Sequence, residues 1–309
     1  MNEVDPEFTR EILRKVRQIE IRSNRLVSEV FAGSYHSAFK GQGIDFEEVR
    51  EYQPGDEVRT IDWNVTAKAG TPYVKQYREE RELSILLAVD ISNSTSYGSD
   101  HHSKRERLAE LAALLAFSAN QNGDKVALLL FSDQTELYLP PTKGQKHVLR
   151  ILREILFRPA LGKKTNLIEG IRVINQVLRR RGVVFLLSDY IINDFAQDGE
   201  STLKIFYDQI ASTRKRHDLI CAKVYDPAEK ELPDVGLVEL EDAESGEKYT
   251  VDTSDPAFRK NYQNILLKIE KNFFRELQKR GVDTFELSTH SDFSKELFTF
   301  FRMREKRRH

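Results

Sequence analysis

Cysteine is nearly missing from this chain of 309 residues, which holds one, Cys221. A single thiol closes no internal disulfide, and a chain of this length without cross-links fits a reducing compartment. Its setting, Leu219-Ile220-Cys221-Ala222, reads as a buried strand rather than a reactive centre, because no activating group stands near it in sequence. Charge of one sign is lacking too: 48 Lys and Arg face 49 Asp and Glu, for a net charge of -1. No whole-protein field therefore favours nucleic acid or an anionic membrane, and any binding is local. No stretch approaches the roughly 18 uninterrupted apolar residues that span a bilayer. Met1 to Arg10 has no apolar segment of the kind that marks a secretory signal. The expectation is a cytoplasmic protein with no membrane insertion and no nucleic-acid partner. A Gly-x-x-x-x-Gly-Lys-[Ser/Thr] phosphate loop is also missing, so the chain is not expected to hydrolyse ATP.

What is present is regular alternation. Asp5-Pro6 is a helix-start signal, and Ile12, Val16 and Ile19 recur on one helical face of a segment expected to run to about Phe31. Gly33 to Glu80 changes character, with Gly41, Gly43, Pro54-Gly55, Gly70 and Pro72 punctuating short segments that favour turns and short strands. From Leu83 onward apolar runs alternate with amphipathic helices, the pattern of a mostly parallel sheet with helices on both faces. Strands are expected at 83–89, 126–131, 136–139 (ended by Pro140-Pro141), 183–187, 219–225 and 284–287. Helices are expected at 105–121, 145–157, 166–180, 202–215, 256–280 and from Asp292 onward. An acidic stretch, Leu237 to Val251, reads as a hairpin inserted near 235–252 with its tip at Glu244-Ser245-Gly246-Glu247. The division expected is residues 1–82 as an N-terminal helix and small irregular β segment, packed on a main α/β domain at 83–309. The basic end, Arg302 to His309, reads as a solvated helix terminus.

In an open parallel sheet, ligands gather beyond the carboxyl ends of the strands. There the first strand delivers Asp90-Ile91-Ser92-Asn93-Ser94, whose alternation turns Asp90, Ser92 and Ser94 toward one point. Thr165 opens a later helix, and Asp189 follows the strand Val183 to Ser188, so both reach the same end of the sheet. Oxygen donors without His or Cys suit Mg²⁺ or Mn²⁺ rather than zinc. Two converging carboxylates repel one another, and a divalent cation is the simplest way to keep both ionised. Taken singly, each of these residues is an ordinary loop or capping residue; their coincidence makes the case.

These five positions resemble the metal-ion-dependent adhesion site of the von Willebrand factor A superfamily, an Asp-x-Ser-x-Ser loop with a Thr and a later Asp. That superfamily usually has small residues before the Thr, where this chain has Lys163-Lys164. The segment Gly41 to Asn64, followed by Ala67 and Glu79-Glu80-Arg81-Glu82, resembles the signature of the domain-of-unknown-function family fifty-eight (DUF58), over about Arg22 to Leu297. Many members of that family carry membrane helices at the amino end. The resemblance implies a von Willebrand factor A-like, Rossmann-like fold. It also implies a MoxR-type AAA ATPase partner and a client, in a chaperone-like or complex-maturation role.

Three functions compete. The first is a non-enzymatic module whose cation accepts a carboxylate from a protein partner. The second is a metal-dependent hydrolase or phosphotransferase using Asp90; such enzymes often carry a second carboxylate two residues on, where this chain has Ser92. The third is a metal that only stabilises the fold. Among the remaining features, Arg50, Asp56, Arg59, Asp62 and Arg81 read as a paired, partly buried ion network. Trp63 reads as core, His101-His102 as a chance surface pair, and Lys163-Lys164 as solvated cations.

Overall fold

The run Ser84–Asp90 offers water no polar face, and it lies near the middle of the sheet with its last six residues buried. The computed structural model describes residues 6–27, 35, 38–39, 45–78, 82–100, 102–162, 164–191, 195–241, 246–291 and 294–308. In chain order the elements are α1 (Pro6–Leu26), β1 (Asp45–Glu51), α2 (Trp63–Ala69), β2 (Tyr73–Arg78), β3 (Ser84–Asp90), α3 (Lys104–Gln121), β4 (Lys125–Phe131) and β5 (Thr135–Thr142). They continue with α4 (Gln145–Phe157), α5 (Leu167–Val177), β6 (Val183–Ser188), α6 (Phe195–Arg216), β7 (Asp218–Tyr225) and the single turn α7 (Pro227–Lys230). The hairpin β8 (Leu237–Glu241) and β9 (Lys248–Asp252), then α8 (Pro256–Lys279), β10 (Asp283–Ser288) and α9 (Ser294–Arg308), complete the chain. By its contacts the chain divides into Met1–Ala38 with Ser84–His309, and Phe39–Leu83.

The larger unit has the expected von Willebrand factor A-like, Rossmann-like α/β architecture. Its sheet runs β5-β4-β3-β6-β7-β10, parallel throughout except for β5, which is antiparallel to β4. Alternate strand residues such as Leu86, Ala88, Leu129, Val184 and Leu186 share one core with Ile171 and Ile174 of α5 and Phe206 and Ile210 of α6. Helix α3 packs on the sheet and beneath α1 and α4, so its Ala and Leu residues are buried all round. The chain leaves β3 toward β4 and later returns to place β6 on the other flank of β3. The order thus reverses between β3 and β6, the position where such sheets open a crevice.

Several expectations need correction. Strand β5 continues through Pro140 and Pro141. It is an edge strand paired only with β4, its register shifting between Val126 and Leu128, so the missing amide hydrogens cost the ladder little. Helix α5 ends at Val177, leaving Arg179–Arg181 outside it. The basic terminus is only partly solvated: Arg304 is buried, bonding Asp218 and lying 2.9 Å from Asp283, and Arg307 reaches Asp283 at 2.7 Å. The described part of α1 ends at Leu26, and the expected extension to Phe31 lies outside the described residues. The hairpin forms as expected, with 242–245 of its tip outside the described residues. Among the described residues no helix is long and apolar enough to cross a membrane.

In the smaller unit, β1 and β2 pair antiparallel. Between them Asp62 caps α2 by accepting from the amides of Asn64 and Val65, and Gly70 ends that helix in the left-handed conformation. Arg50 forks onto Asp56 at 2.7 and 2.8 Å, and Lys75 lies 3.4 Å from Asp62. The expected ion network is therefore local: Arg59 is exposed, and Arg81 and Gly41–Ile44 lie outside the described residues. Trp63 is not core. As the first residue of α2, just after its cap, it is 67% exposed.

Candidate functional site

Asp90 ends β3 and is fully buried. Its Oδ1 accepts from the Ser92 amide at 2.9 Å, and its Oδ2 accepts from the Ser188 hydroxyl at 2.7 Å. The first bond turns the chain sharply after the strand, and Ile91 N donating to Phe131 O at 2.9 Å ties the turn to β4. The 3-10 turn Asn93–Ser96 then brings Ser94 Oγ to 3.1 Å from Ser92 Oγ. Thr165 precedes Asn166, which caps α5, and Thr165 Oγ1 donates to Ser92 Oγ at 2.8 Å. Three buried hydroxyls from two loops therefore meet beside a buried carboxylate.

The loop carrying Thr165 is fastened from below. Glu136 Oε1 accepts from the amides of Leu161 and Gly162 at 2.9 Å each and from Ser132 Oγ at 2.7 Å, while Asn166 N donates to Ser132 O at 3.0 Å. Gly162 is required here: a Cβ on it would fall 1.6 Å from Asp133 Oδ1 and 2.3 Å from Ser132 Oγ.

Asp189 follows β6 and is also buried, but it does not join the hydroxyls. Its Oδ2 is held at 2.7 Å by the ammonium of Lys104, the first residue of α3, which also bonds Glu229 of α7. Its Oδ1 accepts from Ile191 N at 3.1 Å across Tyr190, a non-glycine residue at φ 55°. Backbone strain of that kind gathers where surrounding contacts over-determine a turn. Here Tyr190 OH donates to Leu186 O at 2.8 Å and its ring packs 5.3 Å from that of Phe273.

The electrostatics follow from burial. Desolvation and then the charge of Asp189 push the Asp90 carboxyl up to about 7. Burial works against the Lys104 ammonium, yet Asp189 and Glu229 hold it above its ordinary value. The lysine compensates Asp189, leaving Asp90 as the carboxylate with no cation bonded to it. Beside this group, burial raises Asp226, but bonds from the Ser99 hydroxyl and amide, Thr289 Oγ1 and Ala228 N outweigh it and bring the carboxyl to about 2.

Of the five residues expected at the site, Asp90, Ser92, Ser94 and Thr165 come together, and Asp189 lies close enough to shift Asp90 while bonded to Lys104. Sequence reasoning missed Lys104, Ser188 and Glu136. Lys104 did leave a signal, because a cation at the first position of a helix opposes the macrodipole and asks for a carboxylate partner. Among the described residues no three His, Cys, Asp or Glu side chains gather as a metal site, so hydroxyls would carry the coordination. Lys164 is exposed, while Lys163 and His101 lie outside the described residues; His102 lies 3.4 Å from Glu106. Cys221 is buried, its thiol pushed up to about 12 by desolvation.

Comparison with known proteins finds relatives of the chain. The chain is 29% identical over 297 residues to the uncharacterized protein Rv1480 of Mycobacterium tuberculosis, covering 94% of this chain and 89% of that protein. A hypothetical protein BatB from Bacteroides thetaiotaomicron aligns with TM-score 0.45 and 16% identity, covering 72% of this chain and 99% of that one. An aerotolerance-related membrane protein from Bacteroides fragilis aligns with TM-score 0.46 and 15% identity over 73% of this chain and 99% of that one. The sequence profile described as protein of unknown function DUF58 matches residues 48–271, and the chain belongs to that family.

Proposed function

We propose that the chain is a non-enzymatic protein-binding module whose association with its partner depends on a divalent cation, Mg²⁺ or Mn²⁺. Ser92, Ser94 and Thr165 would hold the ion, with Asp90 beside them and Asp189 behind Lys104. The observation that carries this reading is the cluster of three buried hydroxyls next to an uncompensated carboxylate. Ligand oxygens on adjacent corners of a Mg²⁺ octahedron are about 2.9 Å apart; the two hydroxyl separations are 3.1 and 2.8 Å. Hard oxygen donors and one unneutralised negative charge fit such an ion. When bound, the ion supplies positive charge and an open coordination position for a partner's carboxylate.

The chain's residues do the rest. The Ser92 amide and the Ser188 hydroxyl fix the Asp90 carboxylate, and Glu136 anchors the loop of Thr165. With a serine where a second carboxylate would serve as acid or base, phosphoryl or acyl transfer lacks that partner. In this reading a MoxR-type AAA ATPase supplies the work and the module recruits a client or the ATPase. The test is co-purification from the native cell in Mg²⁺ or in chelator, with the captured proteins identified, using the wild-type chain and Asp90→Ala. Capture is expected in Mg²⁺ alone and to be lost in Asp90→Ala, with the circular dichroism spectrum retained. Equal capture in chelator overturns the reading. Turnover of phosphate esters with Mg²⁺, abolished in Asp90→Asn, would favour the hydrolase.

A further inference from the structure

The opposite ends of the same strands carry a second feature. β6, β7 and β10 lie side by side and parallel, so the corners that enter them fall next to one another, about 5 Å apart per strand. Arg179, Arg180 and Arg181 precede β6, and Arg214, Lys215 and Arg216 precede β7. The corners are stitched into one surface: Arg214 Nε donates to Gly281 O at 2.7 Å, Arg216 to Leu178 O at 3.4 Å, and Asp218 N to Gly182 O at 2.9 Å.

Arg179, Arg180, Arg181 and Lys215 are exposed, and among the described residues none of them has a hydrogen bond or a carboxylate partner. The carboxylates nearby are already taken, Asp218 and Asp283 by Arg304 and Glu276 by Lys279 and Arg280. Cations at helix carboxyl termini ordinarily answer the macrodipole, but that effect fades within the last turn. Arg179 to Arg181 stand beyond the end of α5 at Val177. The field of the strip is felt inside: His217, buried beneath it, is lowered by burial and then by Arg216 and Arg181.

We infer that this basic strip rests peripherally on an anionic phospholipid surface. Guanidinium forks match phosphate oxygens in pairs. Among the described residues the large apolar side chain exposed at these corners is Met303, beside Val282 and Asp283, with no exposed aromatic, so they offer neither the aromatic anchor of a protein interface nor a platform for stacking bases. Strands of this length are about 20 Å long, so the hydroxyl site at their other ends faces away from the lipid and stays open to a partner.

The test is co-sedimentation of the full chain with vesicles of phosphatidylcholine alone or mixed with phosphatidylglycerol, at low and high salt. Binding is expected only with the anionic vesicles and is lost at high salt. Arg179→Gln with Arg180→Gln lowers partition about 25-fold, roughly fivefold per cation. Lys248→Gln in the hairpin, a control outside the strip, leaves it unchanged. Equal partition into neutral vesicles, or no effect of the double variant, overturns the proposal. Tighter binding to duplex DNA than to anionic vesicles overturns the choice of partner.

Discussion

Lys104→Met is the sharpest test of how the site works. Lys104 and Asp189 are both buried, 2.7 Å apart, and the methionine keeps the stem of the lysine while removing its charge. Breaking such a pair strands a buried carboxylate and costs about 3–5 kcal/mol, which in a chain of this size lowers Tm by on the order of 5–8 °C. In the proposed site the loss has a second consequence of opposite sign. The wild-type cation would face one uncompensated carboxylate, Asp90, and keep one positive charge for a partner. In Lys104→Met it faces two and keeps none. Affinity for Mg²⁺, read by isothermal titration, should therefore rise by at least about tenfold, from the attraction of the freed carboxylate, and added Mg²⁺ should restore much of the lost Tm. Affinity for the acidic partner should fall. A variant in which Mg²⁺ and partner affinity fall together, or in which Mg²⁺ affinity is unchanged, refutes the reasoning and leaves Lys104 a structural tether.

Three further outcomes are expected. Asp90 is raised from 3.8 to about 7, so without metal its ionisation lowers stability by up to about 4 kcal/mol as pH climbs through that window. Mg²⁺ should protect against melting above about pH 7 and progressively less below it, and Asp90→Asn should flatten both trends. His217, with neither ring nitrogen hydrogen-bonded among the described residues, is lowered from its ordinary 6.5, so stability falls as pH drops through that value. His217→Leu should remove this limb in urea melts at a series of pH values and gain about 1 kcal/mol at acid pH. Gly162→Ala forces a Cβ against Ser132 and Asp133; a cost of about 1–3 kcal/mol and weakened Mg²⁺ binding through the displaced Thr165 loop are expected, and an unchanged titration would show that the loop does not position Thr165.

Much of the architecture was legible because burial writes itself into periodicity. The apolar runs at 83–89, 126–131, 183–187 and 219–225 became β3, β4, β6 and β7, since a strand covered on both faces has little room for polar residues. The prolines of β5 misled because propensity does not reveal which strand will be an edge. Trp63 misled because its size argues for burial, whereas its place directly after the Asp62 cap fixes where it sits. At the site, Asp90, Ser92, Ser94 and Thr165 were found by their position after strands and before a helix. Lys104 was not, because its partners Asp189 and Glu229 are 85 and 125 residues away in sequence.

That missed lysine changes the argument for a cation. Two converging carboxylates alone would need a metal to remain ionised, but one of them here already has an internal ammonium, so repulsion between Asp90 and Asp189 no longer requires it. The hydroxyls are then what calls for a cation. Ser92, Ser94 and Thr165 are linked hydroxyl to hydroxyl at 3.1 and 2.8 Å, in a buried place where alanines would cost less polar desolvation. Their oxygens have lone pairs to spare and one carboxylate beside them without a bonded cation. A donor set rich in neutral oxygen and poor in charge holds a divalent ion without neutralising it, and the remaining charge is what a partner's carboxylate would recognise.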